Sequence, residues 1–382
     1  MSRFTHLTIR GFRRLVDLDV ELRPLTVLLG INGVGKSSVL DAISLLSASA
    51  PGRLRERLAE MGGLTNVMSI DRAKHLVLGT RMRVEDGTTL DYSLTLLPTG
   101  VAYTIEEERL CQEDEFQLRT VEYIESRGND TRYFDGSGRA GLLQPDPFHD
   151  DLESSLSQAP KKFPAPEELR RHLASATLYH ALNVDVRAPV RLPQTMQPAD
   201  LPGANGETLV SCLYTLRETD KARFEAVEDA LRAAFPSFDG LNFPPVAAGT
   251  LAMTWRDRAF SRPIYTHQLS EGTLRFLWLA TLLQSPGLPA ICMIDEPEVS
   301  LHPEMLSLLA DLLREASQRA LVVVATHSDR LVRFLKPEEV LIIDMAEDGA
   351  ASATWADSLD LDAWLDEYTL DQLWRMGQMG GR

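Results

Sequence analysis

Apolar and polar positions alternate over residues 4–10 and 17–22, a period of two that predicts a pair of strands. Residues 25–29 are instead a continuous apolar run, the pattern of a strand covered on both faces. A glycine-rich stretch then leads into 38–46, whose apolar positions predict a helix. Residues 53–57 read as helical and 61–67 as a loop. Segments 76–84 and 89–97 alternate around Glu85-Asp86-Gly87, which predicts a hairpin, and 101–106 and 118–124 extend the antiparallel pattern. Residues 126–165 are rich in Gly, Asp, Ser and Pro and read as a long irregular insert.

The second half is more regular. Residues 166–172 and 220–235 read as helices, the latter with Phe224, Val227, Leu231 and Ala234 on one face, while 187–191 and 193–206 read as extended loop. From Gln268 onward the pattern is α/β: a helix over 272–283, a strand over 290–294, a helix over 303–319, and strands over 320–325 and 340–344. Residues 358–376 are acidic and amphipathic, with Trp364, Leu365, Tyr368, Leu373 and Trp374; they form either a docking segment or a terminal helix packed on the core. No heptad pattern is long enough for a coiled coil.

The junction after the 25–29 strand changes this picture most. Gly30-Ile-Asn-Gly-Val-Gly-Lys36-Ser37 has the spacing G-x-x-x-x-G-K-[ST] between a strand and a helix. Glycines let successive N–H groups curl around phosphate oxygens, and the following helix adds its free N–H groups and positive dipole end. The expected phosphate cradle comprises Gly30, Asn32, Gly33, Gly35, Lys36, Ser37 and Ser38, with Lys36 on the β- and γ-phosphates and the Ser37 hydroxyl on Mg²⁺. The 290–294 strand ends in Asp295-Glu296-Pro297. Asp295 reads as the Mg²⁺-side acid and Glu296 as the carboxylate that polarises the attacking water. His327, at the end of the 320–325 strand in Thr326-His-Ser328, is placed by that order to touch the γ-phosphate. His302, in Ser300-Leu-His302-Pro303, is either an interface residue or plain loop packing. Ser270 and Gly272, in Leu269-Ser-Glu-Gly272-Thr273, make either a helix cap or an anion site at a helix N-terminus.

Composition narrows the setting. The 382 residues carry a formal charge of −16, with 44% hydrophobic and 25% charged residues, which argues against a basic protein that coats nucleic acid. Cys111, Cys212 and Cys292 lack metal-ligand spacing and read as packed, reduced thiols. With no leader-like or membrane-length apolar run, the expectation is a cytoplasmic protein with no membrane partner. An Asn-Lys-x-Asp guanine-reading motif does not occur, which makes a GTPase a weaker reading than an ATPase.

Taken in order, residues 30–37, 269–272, 291–296, 300–303 and 326–328 resemble the motif series of an ABC-type ATPase. The opening Leu7-Thr-Ile-Arg-Gly-Phe-Arg-Arg14 resembles the RecF/SMC/OLD-like branch. Ser270-Glu-Gly-Thr-Leu-Arg-Phe276 with Asp295-Glu-Pro-Glu298 and Leu301-His-Pro303 is similar to the short bacterial "predicted ATPase" group met beside nucleases in defence loci. The resemblance implies an ABC-type head with an antiparallel β-subdomain and a mixed α/β insert. Its lobes fall at 1–100 with the P-loop, 101–262 as insert or lid, 263–350 with the signature and Walker B motifs, and 351–382 as a helical tail. It further implies that ATP and Mg²⁺ are held between two copies of the chain, in a homodimer or higher oligomer. Lys36, Ser37, Asp295 and Glu296 act from one copy, and Ser270 and Gly272 cap the γ-phosphate from the other. The signature carries Glu271-Gly272-Thr273 where transporters carry Gly-Gly-Gln, and the Q-loop candidates are Gln112 and Gln117.

The implied activity is Mg²⁺-dependent ATP hydrolysis by a molecular switch that controls a partner, expected to be a separate nuclease subunit in DNA-linked defence or repair. The alternative is a slow or non-hydrolysing ATP-gated scaffold that holds an effector. No appended nuclease domain is expected after His327. DNA contact through arginines 13, 14, 53, 55, 57, 81 and 83 stands beside a reading in which these are solvated surface and Arg13 or Arg14 lies near the nucleotide.

Overall fold

The computed structural model describes residues 2–100, 102–114, 119–128, 130–135, 149–247, 249–361, 364 and 367–380. Gln117 and Leu365 lie outside the described residues, as does 136–148 of the expected insert. Two large sheets carry the chain. The first is antiparallel, with β1 (Arg3–Phe12), β2 (Leu15–Glu21), β4 (Leu76–Arg83), β5 (Thr89–Thr99), β6 (Ala102–Asp114), β7 (Arg119–Arg127) and β8 (Asp130–Tyr133) in the order β2-β1-β4-β5-β6-β7-β8. The expected hairpin joins β4 to β5, closed by Gly87 N–H donating to the Val84 carbonyl at 3.0 Å. Pairing of β5 with β6 carries the sheet across residue 100.

The second sheet contains β3 (Leu25–Leu29), β9 (Thr177–Tyr179), β16 (Ile291–Asp295), β17 (Leu321–Thr326), β18 (Val340–Met345) and β19 (Ala351–Trp355), in the order β19-β18-β3-β17-β16-β9. Every pairing is parallel except β18 with β19. Between β9 and β16, the short strands β10 (Gln194–Thr195), β11 (Phe238–Asn242), β12 (Pro245–Ala247), β13 (Thr250–Leu251), β14 (Thr254–Asp257) and β15 (Ile264–Tyr265) form two three-stranded sheets.

The apolar runs of the parallel strands are continuous because successive side chains enter two different cores. Val27, Val322, Val324, Cys292 and Ile294 pack against helices α6 (Leu209–Thr219), α7 (Lys221–Ala234), α8 (Glu271–Gln284) and α9 (Met305–Ser317). Leu28, Val323, Ala325, Ile291 and Met293 face the other way, onto α1 (Lys36–Ser49), α5 (Pro164–Ser175) and the antiparallel sheet. The result is a sheet sandwiched between a helical layer and a mixed one. All three cysteines are buried. Among the described residues no helix exceeds 14 residues, and none is long and apolar enough to cross a membrane.

Several elements differ from the sequence reading. The tail expected to be helical from 351 starts as strand β19, because Ala351-Ser-Ala-Thr-Trp355 alternates buried and open positions beside β18. After the single helical turn Ala356–Ser358, the tail's last described helix is α11 (Leu370–Arg375; α2, α3, α4 and α10 being Leu54–Glu60, Leu64–Val67, Ser155–Gln158 and Asp329–Val332). Leu370, Leu373 and Met379 are buried in the helical-side core, so this segment packs rather than docks. The 61–67 loop contains the single turn α3, and the irregular insert contains β8 and α4. Helix α6 and the three-residue strand β9 were not anticipated.

Candidate nucleotide site

Strand register builds the site. Leu29 pairs with Thr326, Ala325 with Asp295, and Ile294 with Tyr179. The residues that follow, Gly30, His327, Glu296 and His180, therefore leave the parallel sheet along one edge, in that order. The carboxyl edge of a parallel sheet is where such folds bind ligands.

The loop over 30–37 has the backbone that a phosphate cradle needs. Gly33 and Gly35 sit at φ 84° and 125°, which β-carbons disfavour. Gly30 is required for another reason: a Cβ there would collide with the Ile343 carbonyl of β18. Helix α1 begins with no side chain capping its first N–H groups, so these donors are left for a ligand. Asn32 and Ser37 are exposed and Ser38 is half-buried. Lys36 is nearly enclosed, and its ammonium donates to the carbonyls of Gly30 and Ile31 at 2.7 and 2.9 Å. Burial holds its pKa below the ordinary lysine value, opposed by the charges of Glu296, Asp295 and Glu298. A buried ammonium, free helix donors and left-handed glycines fit a polyphosphate.

Across the edge, burial and the neighbouring Glu296 push the Asp295 carboxyl up, against the pull of His180 and Lys36. His180 Nδ1 lies 3.8 Å from Asp295 Oδ2. Glu296 has φ 51°, and its N–H donates to the Ala325 carbonyl at 2.8 Å. That turn aims its side chain at His327, whose Nδ1 is 2.8 Å from Glu296 Oε1. The Ser37–Asp295 pair supplies a hydroxyl and a carboxylate, hard oxygen donors suited to Mg²⁺.

The Ser270 turn is arranged differently. Ser270 caps α8, its Oγ accepting from the Thr273 N–H at 3.2 Å. Gly272 is held against the loop after β16: a Cβ there would lie 2.7 Å from the Ser300 carbonyl oxygen. Among the described residues, no hydrogen bond or ion pair links Ser270 or Gly272 to residues 30–37. Behind the turn, Arg191 donates to the carbonyls of Val184, His267 and Leu269 at 2.6, 3.2 and 2.9 Å.

Other expected residues sit elsewhere. Arg13, at φ 48° in the β1–β2 turn, pairs with Asp41 of α1 at 2.6 Å. His302 is exposed beside Glu304, 3.8 Å away. Gln112 lies in the antiparallel sheet, not at the parallel sheet's edge; its amide donates to Thr88 and accepts from Tyr123. His180 and Glu298 are the site residues that sequence reasoning missed. A three-residue strand has too few positions to show a period, and Glu298 follows a proline that reads as a turn.

Comparison with known proteins fits this geometry. Residues 25–333 match the family model described as "AAA domain, putative AbiEii toxin, Type IV TA system". The chain belongs to this family. Three solved structures are similar over nearly all of this AAA-domain chain. An Smc head bound to the C-winged helix domain of ScpA shares 14% identity over 92% of this chain and 97% of that one, with a TM-score of 0.58. The Pyrococcus furiosus Smc head with an extended coiled coil, bound to the C-terminal domain of ScpA, shares 11% identity over 99% of both chains, with a TM-score of 0.52. The Pyrococcus yayanosii Smc head with a coiled coil and joint shares 11% over 95% and 100%, also at 0.52. No curated protein matches the chain. The AAA-domain family member thus has the fold of an SMC-type ABC ATPase head, as its motifs implied, and is a P-loop ATPase domain by family.

Proposed function

We propose that this chain is an ATP-hydrolysing switch, converting ATP and water to ADP and phosphate as two copies close around the nucleotide. The carrying observation is the single edge that holds the 30–37 loop, the 2.8 Å His327–Glu296 contact and Asp295. Lys36 leaves its loop carbonyls to neutralise the β- and γ-phosphate oxygens. Ser37 and Asp295 hold Mg²⁺, which supplies charge neutralisation of the phosphates. Glu296 accepts the proton of the attacking water, and His327 orients that carboxylate and faces the γ-phosphate. Ser270 and Gly272 of a second copy complete the lid, since within one chain they are not bonded to the loop they would cap.

The partner is read as a separate effector, in keeping with a defence system. Two features support that reading: the family's description refers to a toxin–antitoxin system, and two of the Smc heads above are bound to parts of ScpA. A protein effector is favoured over DNA, because Arg13, Arg57 and Arg81 are each paired with carboxylates, as is Arg55 with Asp150. Glu296→Gln tests the central reading. ATP binding should persist while turnover falls by about 10²- to 10⁴-fold and ATP-dependent dimers accumulate. Wild-type turnover in that variant removes Glu296 from the mechanism.

A further inference from the structure

Glu298 stands three residues beyond Asp295, on the far side of Pro297. Its loop is unusually constrained: Glu296 and Ser300, two residues either side, both adopt left-handed φ, 51° and 62°, without being glycine. Such backbone persists only when its surroundings hold it, and it concentrates at functional sites. Val299 N–H donates to Glu296 O at 3.2 Å and Leu301 N–H to Glu298 O at 3.0 Å, closing the loop on itself.

The Glu298 side chain turns back across the sheet edge. The Thr326 hydroxyl donates to its Oε1 at 2.5 Å. The same hydroxyl accepts from the Ser328 N–H at 2.9 Å, so the Thr326 side chain spans His327 and holds the backbone on its far side. Glu298 Oε2 is buried and lacks any hydrogen-bond partner, an expense that an ordinary loop carboxylate avoids by facing water. Burial also raises this carboxyl's pKa, opposed by Thr326 and the His327 charge. The two loops are also tied by the Glu296 N–H to Ala325 O bond at their base and by the His327–Glu296 contact itself.

We propose that Glu298 is a positioning residue: through Thr326 it fixes His327 against Glu296. The same loop backs Gly272 through the Ser300 carbonyl, so Glu298 stands in the segment that joins the base to the chain's own signature turn. This assignment rests on the hydrolytic reading of Glu296 and His327. A residue of this kind sets turnover more than nucleotide affinity: its hydrogen bond goes to Thr326 and none goes to the 30–37 loop, where its charge only adds to those of Glu296 and Asp295 on Lys36.

The test uses the full chain with Glu298→Ala, Glu298→Gln, Thr326→Val and the Glu298→Ala/Thr326→Val pair, each confirmed folded by its melting curve. Steady-state hydrolysis should show kcat at least tenfold lower in Glu298→Ala and Thr326→Val, with KM and fluorescent-ATP affinity within threefold of wild type. The pair should be no worse than either single change, and Glu298→Gln, which keeps shape and an acceptor, should recover most of the loss. Independently of turnover, the ¹³C-labelled His327 imidazole resonance should shift or broaden in Glu298→Ala while that of His302 stays in place. Additive effects in the pair, a Gln variant as impaired as the Ala variant, or an unmoved His327 resonance would each overturn the assignment. If Glu296→Gln retains wild-type turnover, the hydrolytic reading itself fails; if only the Glu298 variants match wild type, this assignment alone falls.

Discussion

The two surfaces of this chain that are proposed to face nucleotide differ in how many of their groups are already bonded. Along the parallel sheet's edge, three of the key side chains already have partners: Lys36 on loop carbonyls, His327 on Glu296, Glu298 on Thr326. At the signature turn, Ser270 is exposed and, among the described residues, its side chain bonds only within its own helix cap. In the proposed mechanism the first surface is a resting arrangement whose contacts exchange when phosphate arrives. The second, backed by Ser300 and Arg191, is proposed as one half of an interface between two copies. The difference teaches that catalytic parts and closure parts can be broken separately.

The largest separation should come from Lys36→Ala. Losing a charge-assisted contact worth about 1.5–3 kcal/mol should weaken ATP binding by roughly 10- to 150-fold and stop turnover with it. Fluorescent-nucleotide titration checks the affinity. Gly272→Ala should do the reverse. Its methyl, 2.7 Å from the Ser300 carbonyl oxygen, pushes the signature turn off its backing at a cost of about 1–3 kcal/mol. Dimerisation in ATP, followed by light scattering, should weaken while monomer affinity for nucleotide holds.

Two glycines of the loop sharpen the comparison further. Gly30→Ala, pressed into β18, should lower stability by about 1–3 kcal/mol. Gly33→Ala meets no atom within 4 Å and should cost only the left-handed strain of about 1–2 kcal/mol. Denaturant unfolding of both variants would rank them, and equal losses would show that crowding against β18 is not what selects Gly30.

The smallest effect is on pH. Burial pushes the Cys292 thiol from 9.0 up to about 12. The folded state therefore keeps its proton where the unfolded state loses it. The stability this thiol contributes is full below pH 9 and declines as pH rises from there toward 12. The fall in unfolding midpoint between those limits should be shallower in Cys292→Ala.

These tests also mark where the sequence was informative. The strand–loop–helix at residues 25–46 and the acids ending β16 were legible because each motif is local and its chemistry demands fixed residue types. The antiparallel sheet was legible from alternation. What was not legible depends on contacts across the fold. Strand β9 is three residues long and is a strand only because β16 lies beside it, so His180 could not be placed near Asp295. Glu298 gains meaning only from Thr326, 28 residues away. Helix α6 lies between the 193–206 loop and the 220–235 helix, in a stretch given no element, although Leu209, Cys212, Leu213 and Leu216 form an apolar face there. Strand β19 was masked by reading the tail as one helical unit.

The central claim is that the two surfaces meet only between copies of the chain, and a mixing experiment tests it most directly. Lys36→Ala removes the phosphate-side cation, and Ser270→Arg blocks the exposed cap; each variant alone should be inactive. Mixed in equal amounts, half the dimers should be hybrids with one intact site of two, restoring about a quarter of wild-type hydrolysis per chain. A mixture that remains as inactive as its components, or a Ser270→Arg chain that hydrolyses ATP normally by itself, would contradict a site shared between two copies.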